Sequence, residues 1–119
     1  MDNIPKTIFC DIDGVLFEHP GKYTKIYDYK PVVLEGTWQK IQEWHMKGYM
    51  IIITTSRFPS MRNITEKQLN DAKIPYHQLI MGVNRGARVV INDLKTNSDE
   101  ATAVGISLPR NKGIQDLDI

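Results

Sequence analysis

Short apolar runs, each followed directly by polar residues, set the pattern of hydrophobic positions along this chain. Such runs, without alternation, are typical of strands that are buried on both faces of a parallel sheet. The predicted strands are Ile8–Cys10, Tyr49–Ile53, Leu79–Met81 and Val89–Ile91. Residues 104–108 form a possible edge strand, closed by Pro109.

Two stretches between the strands have apolar residues at helical spacing. Residues 34–47 carry one apolar stripe, and Gly48 is a stop signal for that helix. The stripe consists of Trp38, Ile41, Trp44 and His45. Residues 63–73 predict a second helix, which Pro75 ends, and residues 99–103 are a possible short third one. Strand, helix and strand joined by short links predict a right-handed parallel crossover, and hence an α/β fold with a small doubly wound parallel sheet.

Two carboxylates, Asp11 and Asp13, come immediately after the first predicted strand and are followed by Gly14. Paired carboxylates are not stable in a buried strand, so we expect them at its C-terminal edge, where open α/β sheets bind ligands. Close carboxylates repel, and Mg²⁺ is the cation that such oxygen ligands favour. An ordinary Asx turn is the alternative, whereas a calcium loop is disfavoured because Val15 and Leu16 occupy positions that require other residues.

Composition places the chain among ordinary globular domains. It has 119 residues, of which 41% are apolar and 24% charged, with a net charge of +1, so we expect a single domain over residues 1–119. The near-neutral charge makes nucleic acid an unlikely partner, and the longest apolar run is far short of a membrane span. The only cysteine, Cys10, excludes an internal disulfide, and the N-terminal residues lack a signal-peptide pattern. A cytoplasmic protein is expected.

Each later predicted strand also ends in polar groups that suit one site. A nucleophile, a metal and hydrogen-bond donors around the equatorial oxygens are what phosphoryl transfer requires. The second strand leads to Thr55, Ser56 and Arg57, the third to Arg85 and Arg88, and the fourth to Asn92 and Asp93. The sequence therefore predicts that these groups meet with the two carboxylates around a phosphate.

These motifs resemble those of the haloacid dehalogenase-like (HAD) superfamily of phosphatases, over roughly residues 7–108. The resemblance implies Asp11 as nucleophile and magnesium ligand, and Asp13 as general acid/base that also binds the metal through its backbone carbonyl. It implies Thr55 as the phosphate-binding residue, with Thr54 as the alternative. The remaining metal carboxylate would be Asp93.

The sequence departs from the family pattern at two motifs. Asn92 stands where a second acid is usual, so Asn92 is expected as a neutral ligand or as a group that positions the ligands. The usual lysine of the third motif is missing, and Arg85 is the best substitute, with Arg88 second. The spacing of the motifs leaves no room for a cap domain. Small capless relatives of this appearance imply a phosphorylated sugar or polyol of surface-polysaccharide biosynthesis as the substrate.

Two other functions stay open at this point. The departures suit a non-catalytic metal- or phosphate-binding regulatory domain. A nucleic-acid end-processing phosphatase would need a basic groove, for which the candidate residues are Lys22, Lys25, Arg57 and Arg62. An open site also favours a homo-oligomer, in which the segment with Tyr23, Tyr27 and Tyr29 would lie near a subunit contact.

Overall fold

The computed structural model describes residues 4–119 and contains a three-stranded parallel sheet with two α-helices. The elements are β1 (Thr7–Cys10), α1 (Thr37–Met46), β2 (Met50–Thr54), α2 (Arg62–Asp71) and β3 (Gln78–Ile80). Short 3₁₀ turns occupy Tyr23–Lys25 and Pro59–Met61. Three predicted strands and both main helices are confirmed, with their ends displaced by three residues at most. No helix within residues 4–119 has the length and apolar character needed to cross a membrane.

The strands are ordered β1-β2-β3, and both neighbouring pairs are parallel, as the strand–helix–strand pattern predicts. In this register Cys10 lies beside Ile53, and Ile53 beside Leu79. Because side chains alternate along a strand, these residues share one face of the sheet. The same core cluster contains Ile41 and Trp44 of α1, together with Leu69 of α2, so both helices cover that face.

The opposite face of the sheet is largely open. Phe9, Met50 and Ile80 point to that face, and their side chains are 56%, 43% and 41% exposed. The helices of the described chain therefore pack on one face of the sheet, which differs from the predicted doubly wound arrangement. The α/β class and the parallel sheet are as predicted.

Helix α1 lies between two glycines in the left-handed region, Gly36 with φ of 79° and Gly48 with φ of 77°. Only part of its predicted apolar stripe enters the core. Ile41 and Trp44 are buried, whereas Trp38 is about half exposed and donates from its indole N–H to the carbonyl oxygen of Lys73 at 3.1 Å. His45, the fourth member of the stripe, is exposed.

Residues 82–108 differ most from the prediction. The structure has no strand at Val89–Ile91 or at residues 104–108, and no helix at residues 99–103. The side chains of Val89, Val90 and Ile91 are all exposed. A strand this short needs a neighbour for its backbone hydrogen bonds, and in the described chain β1 pairs only with β2. The apolar run therefore lacks the partner that would make it a strand.

Residues 109–119, for which the sequence predicts no element, pack back over the start of the chain. Ile114 is fully buried in the main core, and the backbone N–H of Asn111 donates to the carbonyl oxygen of Gly14 at 2.8 Å. The side chain of Asn111 accepts a second hydrogen bond, 2.8 Å long, from the backbone N–H of His19. Lys40 on α1 donates to the carbonyl oxygen of Leu117 at 2.6 Å. This segment thus holds the turn after β1 from outside.

The one-sided sheet predicts unequal costs for two truncations. Ile53→Ala, on the covered face, should lower the free energy of unfolding by about 2–5 kcal/mol, because it opens a cavity in the core. Phe9→Ala, on the open face, should cost less than about 1 kcal/mol. Urea unfolding followed by circular dichroism measures both. An equally large loss for Phe9→Ala would mean that the open face is covered in solution.

Candidate active site

The turn after β1 places both predicted carboxylates at the C-terminal edge of the sheet. The carbonyl oxygen of Ile12 accepts the backbone N–H groups of Val15, Leu16 and Phe17, at 2.8–3.1 Å. Gly14 has φ of 84°, a left-handed value that favours glycine, and a Cβ there would lie 3.2 Å from Cγ of Arg110. The sharp turn expected at Gly14 is therefore present, and it fixes the direction in which Asp11 and Asp13 leave the strand.

Asp11 is a partly buried carboxylate whose Oδ1 accepts the backbone N–H of Ile12 at 2.8 Å. Its pKa is raised above the ordinary value of 3.8, mainly because burial disfavours the charged form. The hydrogen bond from Ile12 and the charges of Arg88 and His19 act in the opposite direction, and the nearby Asp13 adds to the rise. The negative charge of Asp11 is therefore not fully compensated by an ion pair.

Asp13, by contrast, is held in a buried, bidentate ion pair with Arg57. Nε of Arg57 donates to Oδ2 of Asp13 at 2.9 Å, and Nη2 donates to Oδ1 at 2.7 Å. The side chains are 3% exposed for Asp13 and 0% for Arg57. Such a fork fixes the plane of the carboxylate, while each of its oxygens keeps a second lone pair.

Two of the three remaining guanidinium N–H groups of Arg57 bind helix α2. Nη1 donates to Oγ1 of Thr65 at 3.0 Å and to Oε1 of Gln68 at 2.7 Å. Gln68 in turn donates to the carbonyl oxygen of Ile26 at 3.0 Å. Burial alone would lower the pKa of Arg57, but the hydrogen bonds and charge of Asp13 outweigh it, so the pKa is raised and the cation persists. One network therefore joins β1, the end of β2, α2 and the segment after β1.

This arrangement differs from the predicted phosphate contacts at the end of β2. Arg57 is fully buried and bound by protein groups, so its guanidinium serves Asp13. Thr55 is also fully buried, and its hydroxyl accepts the backbone N–H of Arg57 at 3.1 Å. Ser56 is half-buried, and its hydroxyl forms a hydrogen bond with that of Tyr23. Thr54, the alternative to Thr55, is half-buried at the end of β2.

Residues 18–31, which we call the aromatic segment, form a wall beside these groups. Phe17 and Val33 pair at its base, and the 3₁₀ turn at Tyr23–Lys25 lies within it. Tyr29 has a buried hydroxyl that makes no hydrogen bond in the described structure. The pKa of Tyr29 is raised, first by burial and then by the charge of Asp13. Tyr27 is 55% exposed, so the three tyrosines differ in position, and the predicted subunit contact stays a prediction.

The two arginines of the predicted third motif have different positions. Arg88 lies close enough to Asp11 for its charge to lower the pKa of that carboxyl, and it donates to the carbonyl oxygen of Gly86 at 2.7 Å. Arg85 lies over the ring of Tyr23, with its guanidinium carbon 5.1 Å from the ring centroid. Arg88 is thus the arginine that the structure associates with Asp11, although Arg85 was the first choice.

The predicted third metal carboxylate does not join the other two. Asp93 and Asn92 are exposed on the 82–108 segment, where Nδ2 of Asn92 donates to the carbonyl oxygen of Thr102 at 3.2 Å. Within residues 4–119 no three or more His, Cys, Asp or Glu side chains form a group able to hold a metal ion. Mg²⁺ is commonly held by one or two carboxylates plus substrate phosphate oxygens. Asp11 fits that smaller set, whereas the predicted set with Asp93 does not form.

Several residues of the site escaped the sequence analysis. The charge of His19 acts on the pKa of Asp11, and Asn111 and Arg110 contact the turn from the far end of the chain. Gln68 looks like an ordinary polar helix residue in the sequence. Only the helical spacing of Thr65 and Gln68, three residues apart on one face of α2, could have indicated a shared polar partner.

The fold is similar to parts of solved structures. No family model and no curated protein matches the chain. A chain in the structure of the Pnkp1/Rnl/Hen1 complex is 25% identical with a TM-score of 0.59, and the match covers 72% of this chain and 31% of that one. A second structure, described as the Pnkp1/Rnl/Hen1 RNA repair complex, gives 26% identity and a TM-score of 0.58, covering 71% of this chain and 28% of that one.

A third similar structure is that of a Vibrio cholerae protein, with 19% identity and a TM-score of 0.53 over 71% of this chain and 79% of that one. At this identity the likeness concerns the fold alone. The present chain spans about a third of the length of the two chains from the RNA repair complex. Together these matches support an α/β fold, which in the two chains from the RNA repair complex makes up part of a larger chain.

The Asp13–Arg57 pair predicts a large, specific loss of stability. Arg57→Met leaves a buried carboxylate without its partner, and the free energy of unfolding should fall by about 3–5 kcal/mol. Arg62→Met is the matched control, since Arg62 is 45% exposed and its ion pair with Glu66 lies on the surface, and it should cost about 1 kcal/mol or less. Chemical denaturation measures both variants. Equal losses would show that the buried pair has no special weight.

Cys10 predicts a protected thiol. Burial, with a smaller effect from Asp11, raises the pKa of Cys10 from 9.0 to about 12, so the folded protein holds the thiol proton where the unfolded chain loses it. Reaction with a chromogenic disulfide reagent at mildly alkaline pH should be slow in the native protein and fast in guanidinium chloride. The free energy of unfolding should also fall as pH rises above about 9, and Cys10→Ala should remove that part of the fall. Equal native and unfolded reaction rates would contradict the assignment.

Proposed function

We propose that this chain is a phosphomonoesterase of the HAD-like kind, which works through an aspartyl-phosphate intermediate. The observation that carries the proposal is the difference between two neighbouring carboxylates. The charge of Asp13 is neutralised by a buried, bidentate arginine. Asp11, two residues earlier in the sequence, has a partly desolvated carboxylate whose pKa is raised. Pairs of acids with such different surroundings are a common basis for separate roles in catalysis.

Asp11 is the proposed nucleophile. Its Oδ1 accepts the backbone N–H of Ile12, which sets the side-chain orientation and leaves Oδ2 for attack. A bond forms between Oδ2 and phosphorus while the bond from phosphorus to the leaving alcohol oxygen breaks, with the electron pair going to that oxygen. Water then attacks the phosphorus of the aspartyl phosphate, and the bond from phosphorus to Oδ2 breaks with its electron pair going to Oδ2. This step returns inorganic phosphate and the free carboxylate.

Asp13 is the proposed general acid/base. Before the first step Asp13 takes up a proton from solvent on a lone pair that Arg57 does not use. It passes this proton to the leaving oxygen in the first step, and in the second it takes one from the attacking water. Arg57 is the positioning residue for this role, since its fork holds both Asp13 oxygens at 2.7–2.9 Å and fixes the carboxylate plane. The free lone pairs of Asp13 are the atoms that would carry the proton.

We propose that positively charged side chains near Asp11 bind the phosphate of the substrate. Arg88 supports this role best, because its charge already acts on Asp11. Mg²⁺ remains a proposed cofactor, with Asp11 as its protein ligand. When bound, such a cation neutralises charge on the phosphoryl oxygens. Asp93 has no role in the described arrangement.

The substrate class has two candidates. The resemblance to small capless phosphatases favours a phosphorylated sugar or polyol of surface-polysaccharide biosynthesis. The likeness to chains of an RNA repair complex, at 25–26% identity, favours a phosphorylated nucleic-acid end instead. A nucleic-acid end would require a basic groove. Arg57 does not line such a groove because it is buried, and neither does Arg62, because it binds Glu66 and the carbonyl oxygen of Leu79. A regulatory domain without turnover is the remaining alternative.

The test of the proposal is Asp11→Asn, which keeps the shape of the side chain and removes the nucleophile. Phosphate release from p-nitrophenyl phosphate in Mg²⁺ should fall by on the order of 10³-fold or more. The matched control is Asp71→Asn, an exposed helix position in a surface pair with Lys67, and it should retain the parent rate. Addition of EDTA to the parent should abolish release if Mg²⁺ is required.

A panel of substrates then separates the functions. Sugar and polyol phosphates form one arm, and short oligonucleotides with a 5′- or 3′-terminal phosphate form the other. Parent-like release by Asp11→Asn would refute the nucleophile assignment. A parent protein that hydrolyses none of these compounds, but binds inorganic phosphate or Mg²⁺, would establish the regulatory alternative.

A further inference from the structure

An exposed aromatic cluster lies beside the candidate active site, and neither the fold nor the proposed chemistry requires it. The rings of Tyr23 and Phe58 are in edge-to-face contact, with centroids 6.1 Å apart and an interplanar angle of 87°. The side chain of Phe58 is 52% exposed. The guanidinium of Arg85 lies over the Tyr23 ring at 5.1 Å from its centroid. We call these three residues the stacking wall.

The stacking wall is directly linked to the groups proposed for catalysis. The hydroxyl of Tyr23 is hydrogen bonded to that of Ser56, the residue before Arg57. Phe58 follows Arg57 in the chain. A flat ligand group on this wall would therefore lie next to the strand end that carries the Asp13–Arg57 pair.

Positive charge surrounds the wall. Lys22 and Lys25 flank Tyr23 on the aromatic segment and are exposed, and neither forms an ion pair within the described residues. Arg85 and Arg88 are also exposed, and their hydrogen-bond and ring contacts leave both guanidinium charges uncompensated by a carboxylate ion pair in residues 4–119. The sequence as a whole has a charge of only +1, so this clustering is local.

An aromatic surface with a guanidinium beside it and lysines at its edge matches one ligand chemistry. Bases stack on aromatic rings and arginine planes, and the backbone phosphates between them bind lysine and arginine. A sugar phosphate has no flat π face to use the wall and no second phosphate to use Lys22 and Lys25.

Resting on the proposed phosphomonoesterase activity, we propose that the stacking wall binds the terminal base of a single-stranded nucleic acid whose end phosphate reaches Asp11. Phe58 and Tyr23 would supply the stacking surface and Arg85 a cationic contact. Lys22 and Lys25 would bind the phosphodiesters that follow. The wall would thus set the substrate class of the site.

The experiment measures binding without turnover. The probe is a fluorescein-labelled five-nucleotide RNA with a terminal phosphate, titrated with the full chain and followed by fluorescence anisotropy. Phe58→Ala should weaken binding by about 5-fold to 100-fold, the usual effect of losing one stacked base. Phe58→Trp, which keeps a ring, should retain affinity. Tyr27→Ala is the matched control. Tyr27 is an aromatic residue about as exposed as Phe58, at 55% against 52%, and it is not part of the stacking wall.

Two further arms identify the contacts. An abasic strand of the same length and charge should bind as weakly to the parent as the RNA binds to Phe58→Ala. Replacing both Lys22 and Lys25 by Ala should reduce the slope of log affinity against log salt by about 1.4, that is, roughly 0.7 for each lost phosphate contact on a single strand.

The outcomes separate this inference from the proposed activity. Parent protein that hydrolyses p-nitrophenyl phosphate but binds the RNA and the abasic strand equally would overturn the wall and leave the phosphatase intact. Base-dependent RNA binding without any phosphate release would establish the wall and overturn the phosphatase. Parent-like affinity in Phe58→Ala would overturn the stacking role directly.

Discussion

The bidentate ion pair between Asp13 and Arg57 is the contact on which the site depends. It is buried on both sides, and a buried carboxylate without its cation costs several kcal/mol. The other two hydrogen bonds of Arg57 are donated to Thr65 and Gln68, which also lie inside the protein. The pair therefore requires that β1, the end of β2 and α2 keep their relative positions. Through Gln68 and the carbonyl oxygen of Ile26, it also fixes the aromatic segment.

The same pair explains how two acids one residue apart come to differ. Asp13 faces the interior and meets a cation, while Asp11 faces the strand end and meets a backbone N–H and more distant charges. Burial without a matched ion pair raises the free energy of the charged Asp11. A cation bound near Asp11 would relieve that cost.

The sequence predicts the part of the structure that local pattern determines. The apolar runs of β1, β2 and β3 and the spacing of Ile41 and Trp44 suffice for the elements and their parallel order, and the acidic turn at Gly14 lies where strand ends place ligands. The predictions that fail concern segments whose structure depends on tertiary contacts. The run at residues 89–91 has strand-forming residues but no paired neighbour, and residues 109–119 pack through backbone contacts and one buried side chain, Ile114.

Within the site, the binding partner of Arg57 also depends on tertiary contacts that the sequence pattern does not reveal. An arginine at a strand end can bind a phosphate or a buried carboxylate, and the residue type is the same in both cases. The deciding fact is whether partners for all its donors exist nearby, and these lie on α2, at positions 65 and 68, which the sequence marks only as polar. The assignment of Arg88 rather than Arg85 to Asp11 likewise depends on the path of residues 82–88, for which the sequence contains no periodic signal.

The site therefore consists of two halves with different support. Asp13 and Arg57 lie beside regular elements and are tied to helix α2 by one hydrogen-bond network, while Asp11 is held by the backbone N–H of Ile12. Packing and hydrogen bonds of this kind hold side chains in defined positions. Arg85 and Arg88 lie on an exposed segment with one ring contact and one backbone hydrogen bond. Ordering those side chains opposes ligand binding, and the ligand must contribute enough contacts to offset it. A ligand with one phosphate engages few of them, whereas a strand end that also uses Tyr23 and Phe58 engages both halves at once.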